Sequence, residues 1–482
     1  MFKNGVLTID YNTWRSGIGS SPLVGCGDLR NADIFSRRGA LLCGFKSVKE
    51  TNSTDFIRFM RHDQDANKVF MLDDDGRLYF RTSSETYDPV ELNSDVGSGE
   101  GFELWRGHLF IADGTTLHVR KPAGTYVNDW QTFAEGTRDV YRLPHVMLIG
   151  QDDVVYITDG RYIASIQEKP GQTFNPSDSD TYTWNDEALD LPEGYVATTL
   201  AEIDTYLIIG SKYAAALNYG NRGDVFSWDR TSPSFQIPQR TRGNGVWQML
   251  EDKNAIYSII DRSTGKLYAS NLTTIELARE LPRISPDELF LHPDAVEKMN
   301  DELLFGIGSR SEGAERCGVY SFRGETMQLR HTVSAGDGRV EIGSILNLGE
   351  GKMLVSWRKT TGSGTTYGVD VVSDIRCTGY ATVLESPLFT VGTALVPQPF
   401  EQIDINLAKK LATGQGVKVK YREHLDDAWS DIGTFDFATY GAVSKINDTA
   451  GIGAVSTIQL RIELTAAADS TDSPELLSVS LF

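Results

Sequence analysis

Cysteine is scarce: the 482-residue chain holds four, Cys26, Cys43, Cys317 and Cys377, with no CxxC pair among them. That usage excludes a disulfide scaffold and a zinc site by spacing. Cys26 and Cys43 are placed to meet in space, but buried free thiols in a reducing compartment are the expectation. No apolar run approaches the ~18 residues that a membrane helix needs, so no membrane span is expected. The opening "MFKNGVLTIDYNTWRSG" lacks an apolar h-region, so no signal peptide is expected. A basic excess is missing too. Lys and Arg number 46 against 66 Asp and Glu, a formal net charge of −20. That balance argues against whole-surface affinity for a nucleic-acid backbone and favours solubility. It also suits a channel wall that must not hold DNA.

The common signatures of catalysis are absent. None of the seven histidines (His62, His108, His118, His145, His292, His331, His424) lies three or four residues from another, and there is no HExxH. His108 and His118 are spaced to share a sheet. No G-x-S-x-G elbow occurs. "GIGSSPLVG", residues 17–25, is glycine-rich but lacks the Lys-Ser/Thr of a phosphate loop.

What is present is strand. Hydrophobic residues make up 40% and charged residues 23%, an ordinary globular balance for more than one domain. Short runs rich in Val, Ile, Leu, Tyr and Phe alternate with Gly, Asp and Asn. Seven hairpin units recur. They are "KVFMLDDDGRLYFR" at 68, "GHLFIADGTTLHVR" at 107, "DVVYITDGRYIASI" at 153, "DTYLIIGSKYAAALN" at 204, "NAIYSIIDRSTGKLYAS" at 254, "ELLFGIGSRSEGAERCGVYSFR" at 302 and "GKMLVSWRKTTGSGTTYGVDVV" at 351. The period, roughly 40 to 50 residues, fits a four-stranded blade, and hairpins at that period predict a β-propeller of about seven blades, six to eight. Each blade would cover its neighbour's apolar face, and ring closure would remove long exposed edges. The one helical expectation is a short helix at Ala295–Met299, after Pro293 and Asp294.

Beyond residue 375 the pattern changes to clean alternation. Val417, Val419 and Tyr421 share one face, Lys418, Lys420 and Arg422 the other, and Ile458, Leu460, Ile462 and Leu464 repeat it. A C-terminal β-sandwich is expected. The predicted division is 1–45, an N-terminal arm or ring-closing segment; 46–375, the propeller; and 376–482, the sandwich. The fold class is all-β.

Asp73, Asp74, Asp75 and Gly76 fall where other units place Asp113–Gly114 and Asp159–Gly160. This predicts hairpin turns with both central residues at positive φ. A calcium loop would need alternating oxygen ligands and a closing Glu, which are not there. Paired acids for glycan cleavage must converge on one cleft. The candidates at blade tips are Asp74, Asp113, Asp159, Asp204 and Asp261, with Arg61, Arg106, Arg142, Arg161 and Arg222 as scattered clamps. No Asp box occurs; "STGKLY" lacks its Asp and Trp. Trp105, Trp130, Trp184, Trp228, Trp247 and Trp357 suit either sugar subsites or packing between blades, and the second is expected; Trp429 carries the same choice. No catalytic, cofactor or metal residue is assigned, and no cofactor is expected.

Three stretches carry a resemblance. In "GCGDLRNADIFSRRGALLCG", residues 25–44, Asn31, Asp33, Ile34, Gly39 and Leu41 fit the opening of β-propeller proteins from tailed-bacteriophage virions, while Cys43 and Gly44 come one position early. "NYGNRGDVFSWDRTSPSFQIPQ", residues 218–239, is similar to a blade segment of that family through Arg222, Val225, Phe226 and Ser227. The C-terminal strands resemble its terminal sandwich through Tyr421, Arg422, Trp429, Gly433, Arg461, Glu463, Leu464, Pro474 and Leu476. The resemblance implies a structural tail component, a nozzle or tail-ring protein around the DNA ejection channel. It implies six-fold rings of copies of itself, portal or adaptor neighbours, and passage of DNA without specific binding. The chain is shorter than the usual nozzle. Assembly in host cytoplasm and residence in the virion tail would follow. A glycan-binding adhesin and a propeller glycosidase are the rival classes. A cellular scaffold propeller would carry Gly-His and Trp-Asp marks that these blades lack.

Overall fold

Six of the seven hairpin units fold as the second and third strands of a four-stranded antiparallel sheet in the computed structural model; the stretch at 204 holds only its blade's second strand, Tyr206–Tyr213, and the third is Asp224–Trp228. The structure describes residues 2–482 apart from 4, 16, 19–25, 52–54, 82–86, 90–95, 135–142, 214–221, 237, 242, 264, 282–283, 285–287, 315, 325 and 394. Blades 1 to 5 take their strands in chain order. They begin at Ile57–Asp63, Gly101–Trp105, Met147–Ile149, Tyr195–Ile203 and Val246–Asp252. Blade 6 runs from Val296–Met299 through Glu302–Ser309 and Gly318–Arg323 to Thr326–Thr332. Blade 7 comprises Arg339–Gly349, Lys352–Thr361 and Gly364–Arg376, and its fourth strand is Phe45–Thr51 from the other end of the chain. The first strand of each blade contacts that of the next, and blade 7 meets blade 1. The molecule is therefore a seven-bladed β-propeller closed by an N-terminal strand.

Separate apolar clusters join neighbouring blades. Phe59 and Leu72 of blade 1 pack with Phe102 and Leu109 of blade 2. Trp105, Phe110 and Trp130 of blade 2 pack with Ile157 and Ile166 of blade 3. Leu346 and Leu354 of blade 7 pack with Met60 and Met71 of blade 1, which closes the circle. A fully buried side chain of this size contributes roughly 1.5–3 kcal/mol, so each inter-blade seam is held by several such terms.

Val296–Met299 corrects the helical expectation. Five residues are too few to offset helix nucleation. Asn300 and Asp301, at φ 50° and 64°, instead form a two-residue turn that returns the chain along Glu302–Phe305.

The last 107 or so residues do not stand alone. One sandwich sheet is Phe2–Lys3, Val6–Asp10, Leu476–Leu481, Gln398–Leu407 and Lys445–Val455. Its partner contains Thr382–Glu385, Thr457–Thr465, Gly416–Arg422 and Ser430–Asp436, and Ile403, Ile405, Val417, Ile462 and Leu481 are buried in the shared core. Strand Asp28–Arg30 pairs antiparallel with Thr382–Glu385 and, through Arg30 and Leu329, parallel with the outer strand of blade 6. Propeller and sandwich thus share one continuous sheet. The N-terminal segment is built into both blocks, and the ring-closing strand begins at its last residue, Phe45. Gly17 lies against Met327 here: a Cβ would sit 2.0 Å from the Met327 carbonyl oxygen, at φ +65°. No helix among the described residues is long and apolar enough to cross a membrane.

Candidate functional site: the axial cleft

The first strands of the blades converge on the propeller axis. On the face where first strands turn into second strands they enclose a cleft of about 660 Å³. Arg61 of blade 1 lies at its floor. Its Nε donates to Glu103 Oε2 of blade 2 at 3.0 Å, and its Nη1 donates to Asp294 Oδ1, just before blade 6, at 2.7 Å. Ser344 Oγ of blade 7 donates to the other Asp294 oxygen at 2.5 Å. The guanidinium of blade 1 thus joins blade 2 to the segment before blade 6, and Asp294 carries the tie on to blade 7.

Burial pushes the Glu103 and Asp294 carboxyls above their ordinary range, and the Arg61 charge only partly offsets it. Burial opposes the charged form of Arg61, but Asp294 and Glu103 outweigh it and keep the guanidinium protonated. Glu297, on the cleft wall, is also raised by burial, with the Asp294 charge adding to it. It accepts from the Lys298 and Asn347 backbone N–H groups at 2.8 and 3.0 Å.

The aspartates singled out in the sequence do not converge. Asp74, Asp113, Asp159 and Asp261 end or follow the second strand of their blades, whereas Asp204 follows a first strand, at the opposite end of its sheet. Their turns also differ from the expected form. Asp73, Asp113 and Asp159 do not have positive φ; among them only Gly76, Gly114 and Gly160 do. The aspartates act as side-chain caps instead. Asp73 Oδ1 accepts from Asp75 and Arg77 N–H at 3.1 and 2.7 Å, and Asp113 Oδ1 from Thr115 and Thr116 N–H at 3.0 and 2.8 Å. Turns with two positive φ values lie on the cleft face, at Arg106–Gly107, Lys253–Asn254, Asn300–Asp301 and Glu350–Gly351.

Asp113 shows what such a cap does. Asp129 N–H donates to His118 Nδ1 at 3.2 Å, which leaves Nε2 to donate to Asp113 Oδ2 at 3.2 Å. Burial favours the neutral carboxyl, but these hydrogen bonds outweigh it and hold Asp113 well below the usual carboxylate range. His108 and His118 do share a sheet, on adjacent strands.

Asp55, Asp74 and Asp75 are the one acidic group among the described residues whose oxygens lie within a metal ion's reach. Arginines already neutralise it: Arg77 pairs with Asp55, and Arg358 Nη1 lies 3.1 Å from Asp74 Oδ2. The arginines proposed as clamps are dispersed. Arg106 pairs with Asp153 and Glu168, Arg161 with Asp190, and Arg222 with Asp224. Only Arg61 reaches the cleft; Arg142 and most of residues 17–25 lie outside the described residues. Trp105, Trp130, Trp228, Trp247 and Trp357 are buried between strands, Trp184 is half-buried beside them, and Trp429 lies under Arg422 at 4.4 Å. All four cysteines are buried and free, with Cys26 Sγ bonded to the Gly17 carbonyl rather than to Cys43.

No protein-family model and no curated protein matches the sequence. Solved structures with a similar course include BamB from Moraxella catarrhalis, 11% identical over 70% of this chain and 92% of its own, TM-score 0.43. The β-propeller domain of Cps50 (Swd1) from Myceliophteria thermophila is 8% identical over 68% of this chain and 98% of its own, TM-score 0.43. The computationally designed Ika8 protein is 10% identical over 68% and 99%, TM-score 0.39. The seven-fold arrangement is read from this chain's own strand ladders.

Proposed function

We propose that this chain is a structural component of a tailed-phage virion, a nozzle or tail-ring protein that packs with copies of itself around the genome-ejection channel. The observation that carries the reading is the weld between the two blocks. A ring protein under load needs bodies that do not hinge, and here strand Asp28–Arg30 makes propeller and sandwich one sheet. Four of the residues that bear the resemblance in this segment follow the weld directly and tie the chain to the surrounding core. Asn31 accepts from Thr332 N–H at 2.9 Å, Asp33 pairs with Arg376 at 2.7 Å, and Ile34 and Leu41 are buried in the common core.

The net charge of −20 supports passage of a polyanion without capture. Arg61, Glu103 and Asp294 pair across the propeller's own axis, so the channel in this reading runs between copies and not through the blades. A glycan site draws less support. Among the described residues the cleft has no aromatic lining, and its two deepest carboxylates already share a guanidinium.

Electron microscopy and mass spectrometry of purified phage particles that carry this gene test the proposal. The expected result is the chain in the tail, in a closed six-fold ring beside its portal or adaptor neighbours. Absence of the chain from particles, or turnover of capsular polysaccharide by the purified protein at enzyme-like rates, would overturn it.

A further inference from the structure

The geometry points to the axial cleft as a docking site for an extended basic segment of a partner protein. An arginine or lysine side chain enters along the propeller axis, its aliphatic stem against the walls and its cation against Glu297. This inference does not rest on the virion reading.

Size comes first. About 660 Å³ lies within the roughly 300–1,000 Å³ typical of ligand pockets, and is room for a few side chains. The walls come second. Met60, Met147, Met249, Leu200, Ile345 and Leu346 line the cleft, and no aromatic residue does among the described residues. Methionine and aliphatic walls accept a flexible methylene stem. They offer no flat platform for a sugar ring.

Charge decides the sign of the ligand. Glu103, Glu202, Asp204, Glu251, Asp294 and Glu297 face only two lining cations, Arg61 and Lys298. Most of these charges have partners: Glu103 and Asp294 share Arg61, Glu202 pairs with Arg230, and Lys298 pairs with Asp252. Asp204, Glu251 and Glu297 form no ion pair among the described residues, and of these Glu297 is the one set beside the Arg61–Asp294 pair. Its carboxylate accepts two backbone N–H groups, and no ion pair to it is formed among the described residues. It is half-buried beside the Arg61–Asp294 pair, where a cation is worth more than in open water. A bare divalent ion fits less well, because it needs a shell of oxygens and makes no use of aliphatic walls. The two-residue turns at Lys253–Asn254, Asn300–Asp301 and Glu350–Gly351 stand on the same face of the propeller as the cleft, and Asn254 lines it.

The test uses the full chain with isotope-labelled methionine methyl groups. Three of its eight methionines line the cleft, and Met→Leu variants assign their signals. The probes are the capped peptides Leu-Arg-Leu and Leu-Glu-Leu. The expected result is saturable movement of the Met60, Met147 and Met249 signals with the arginine peptide alone. Glu297→Gln should weaken that binding about tenfold, the scale of one lost charge-assisted contact. Raising salt from about 0.05 to about 0.5 M should weaken it too. Should Glu297→Gln lower the melting temperature, Glu251→Gln on the same wall is read in its place. Equal response to both peptides, no saturable response up to the peptide's solubility limit, or unchanged affinity in the folded glutamine variant would overturn the proposal.

Discussion

Arg376 reaches back across the molecule to Asp33: its Nη1 donates to Asp33 Oδ2 at 2.7 Å and to the Cys43 carbonyl at 2.8 Å. Both side chains are nearly sealed from water, and the Arg376 guanidinium lies 4.2 Å from the Phe45 ring centroid. The pair pins the end of blade 7's third strand to the segment that enters the ring-closing strand.

Removing one partner of such a pair should cost far more than removing both. Arg376→Ala leaves the Asp33 charge buried with only Ser36 and Phe35 as donors, and a loss of about 3–5 kcal/mol is expected in urea unfolding. The double variant Asp33→Asn with Arg376→Met should recover a large part of it. Burial favours the neutral form of Asp33, but hydrogen bonds from Ser36 and Arg376 outweigh it and depress its titration. The stabilisation is therefore present above the ordinary carboxylate range and lost as the pH falls through the depressed value. The wild type should lose stability over that acid window, and the double variant should lose less of it.

Asp73 should behave in the opposite way. Burial is the main cause that pushes its carboxyl up to about 6, with Asp55 and Asp74 adding to it, although Arg77 N–H opposes the shift. A carboxyl raised on folding contributes stability that is full below its unfolded value and is lost as the pH rises through about 6. Asp73→Asn keeps an oxygen for the Asp75 and Arg77 N–H groups and removes the titration. Relative to wild type, the variant should gain about 1–2 kcal/mol between pH 4 and pH 7 once solvent screening is allowed for. Parallel stability curves for the two proteins would contradict this.

The blades were legible because, in six of the seven units, the second and third strands carry a complete apolar–turn–apolar message of their own. "KVFMLDDDGRLYFR" needs no distant residue to become a hairpin. The first strands were harder to read. Met147–Ile149 is three residues long, and Val296–Met299 looks helical until the Asn300–Asp301 turn pairs it. The weld was not legible at all. Asp28–Arg30 is a three-residue strand whose partners, Leu329 and Val383–Glu385, lie about 300 and about 355 residues away. Nor was the cleft, since Arg61 meets Glu103 and Asp294 at separations of 42 and 233 residues. One local signal was available: a charge inside an otherwise apolar inner strand, as in the "GFELW" around Glu103, marks a side chain that needs a buried partner.

Thiol chemistry offers a separate check on the core. Burial pushes Cys43 up to about 11 and Cys317 and Cys377 up to about 12, and it raises Cys26 as well. Thiolate, not thiol, is the reactive form. Aromatic disulfide reagents should therefore label none of the four at pH 8 in the folded protein and all four after denaturation. Rapid labelling of Cys43 or Cys377 alone would mean that the junction around Arg376 opens locally.

The division of the chain suggested by its sequence can itself be put to the test. A fragment of residues 46–375 keeps the strands of all seven blades except two terminal residues, Phe45 of the closing strand and Arg376 of blade 7's third strand. By strand count it should fold. Yet it loses Asp28–Arg30 from the outer edge of blade 6, and with it the sandwich sheet that covers that edge. It also loses the Arg376 tie to Asp33. An uncovered ladder on blade 6 is a template for pairing between chains. The fragment should therefore be largely insoluble, or should melt well below the intact protein, whose two blocks should unfold in one transition because they share a sheet. Calorimetry decides it. A soluble 46–375 fragment with the melting temperature of one of two separate transitions in the full chain would mean that the blocks are independent and that the Asp28–Arg30 strand joins them without stiffening them.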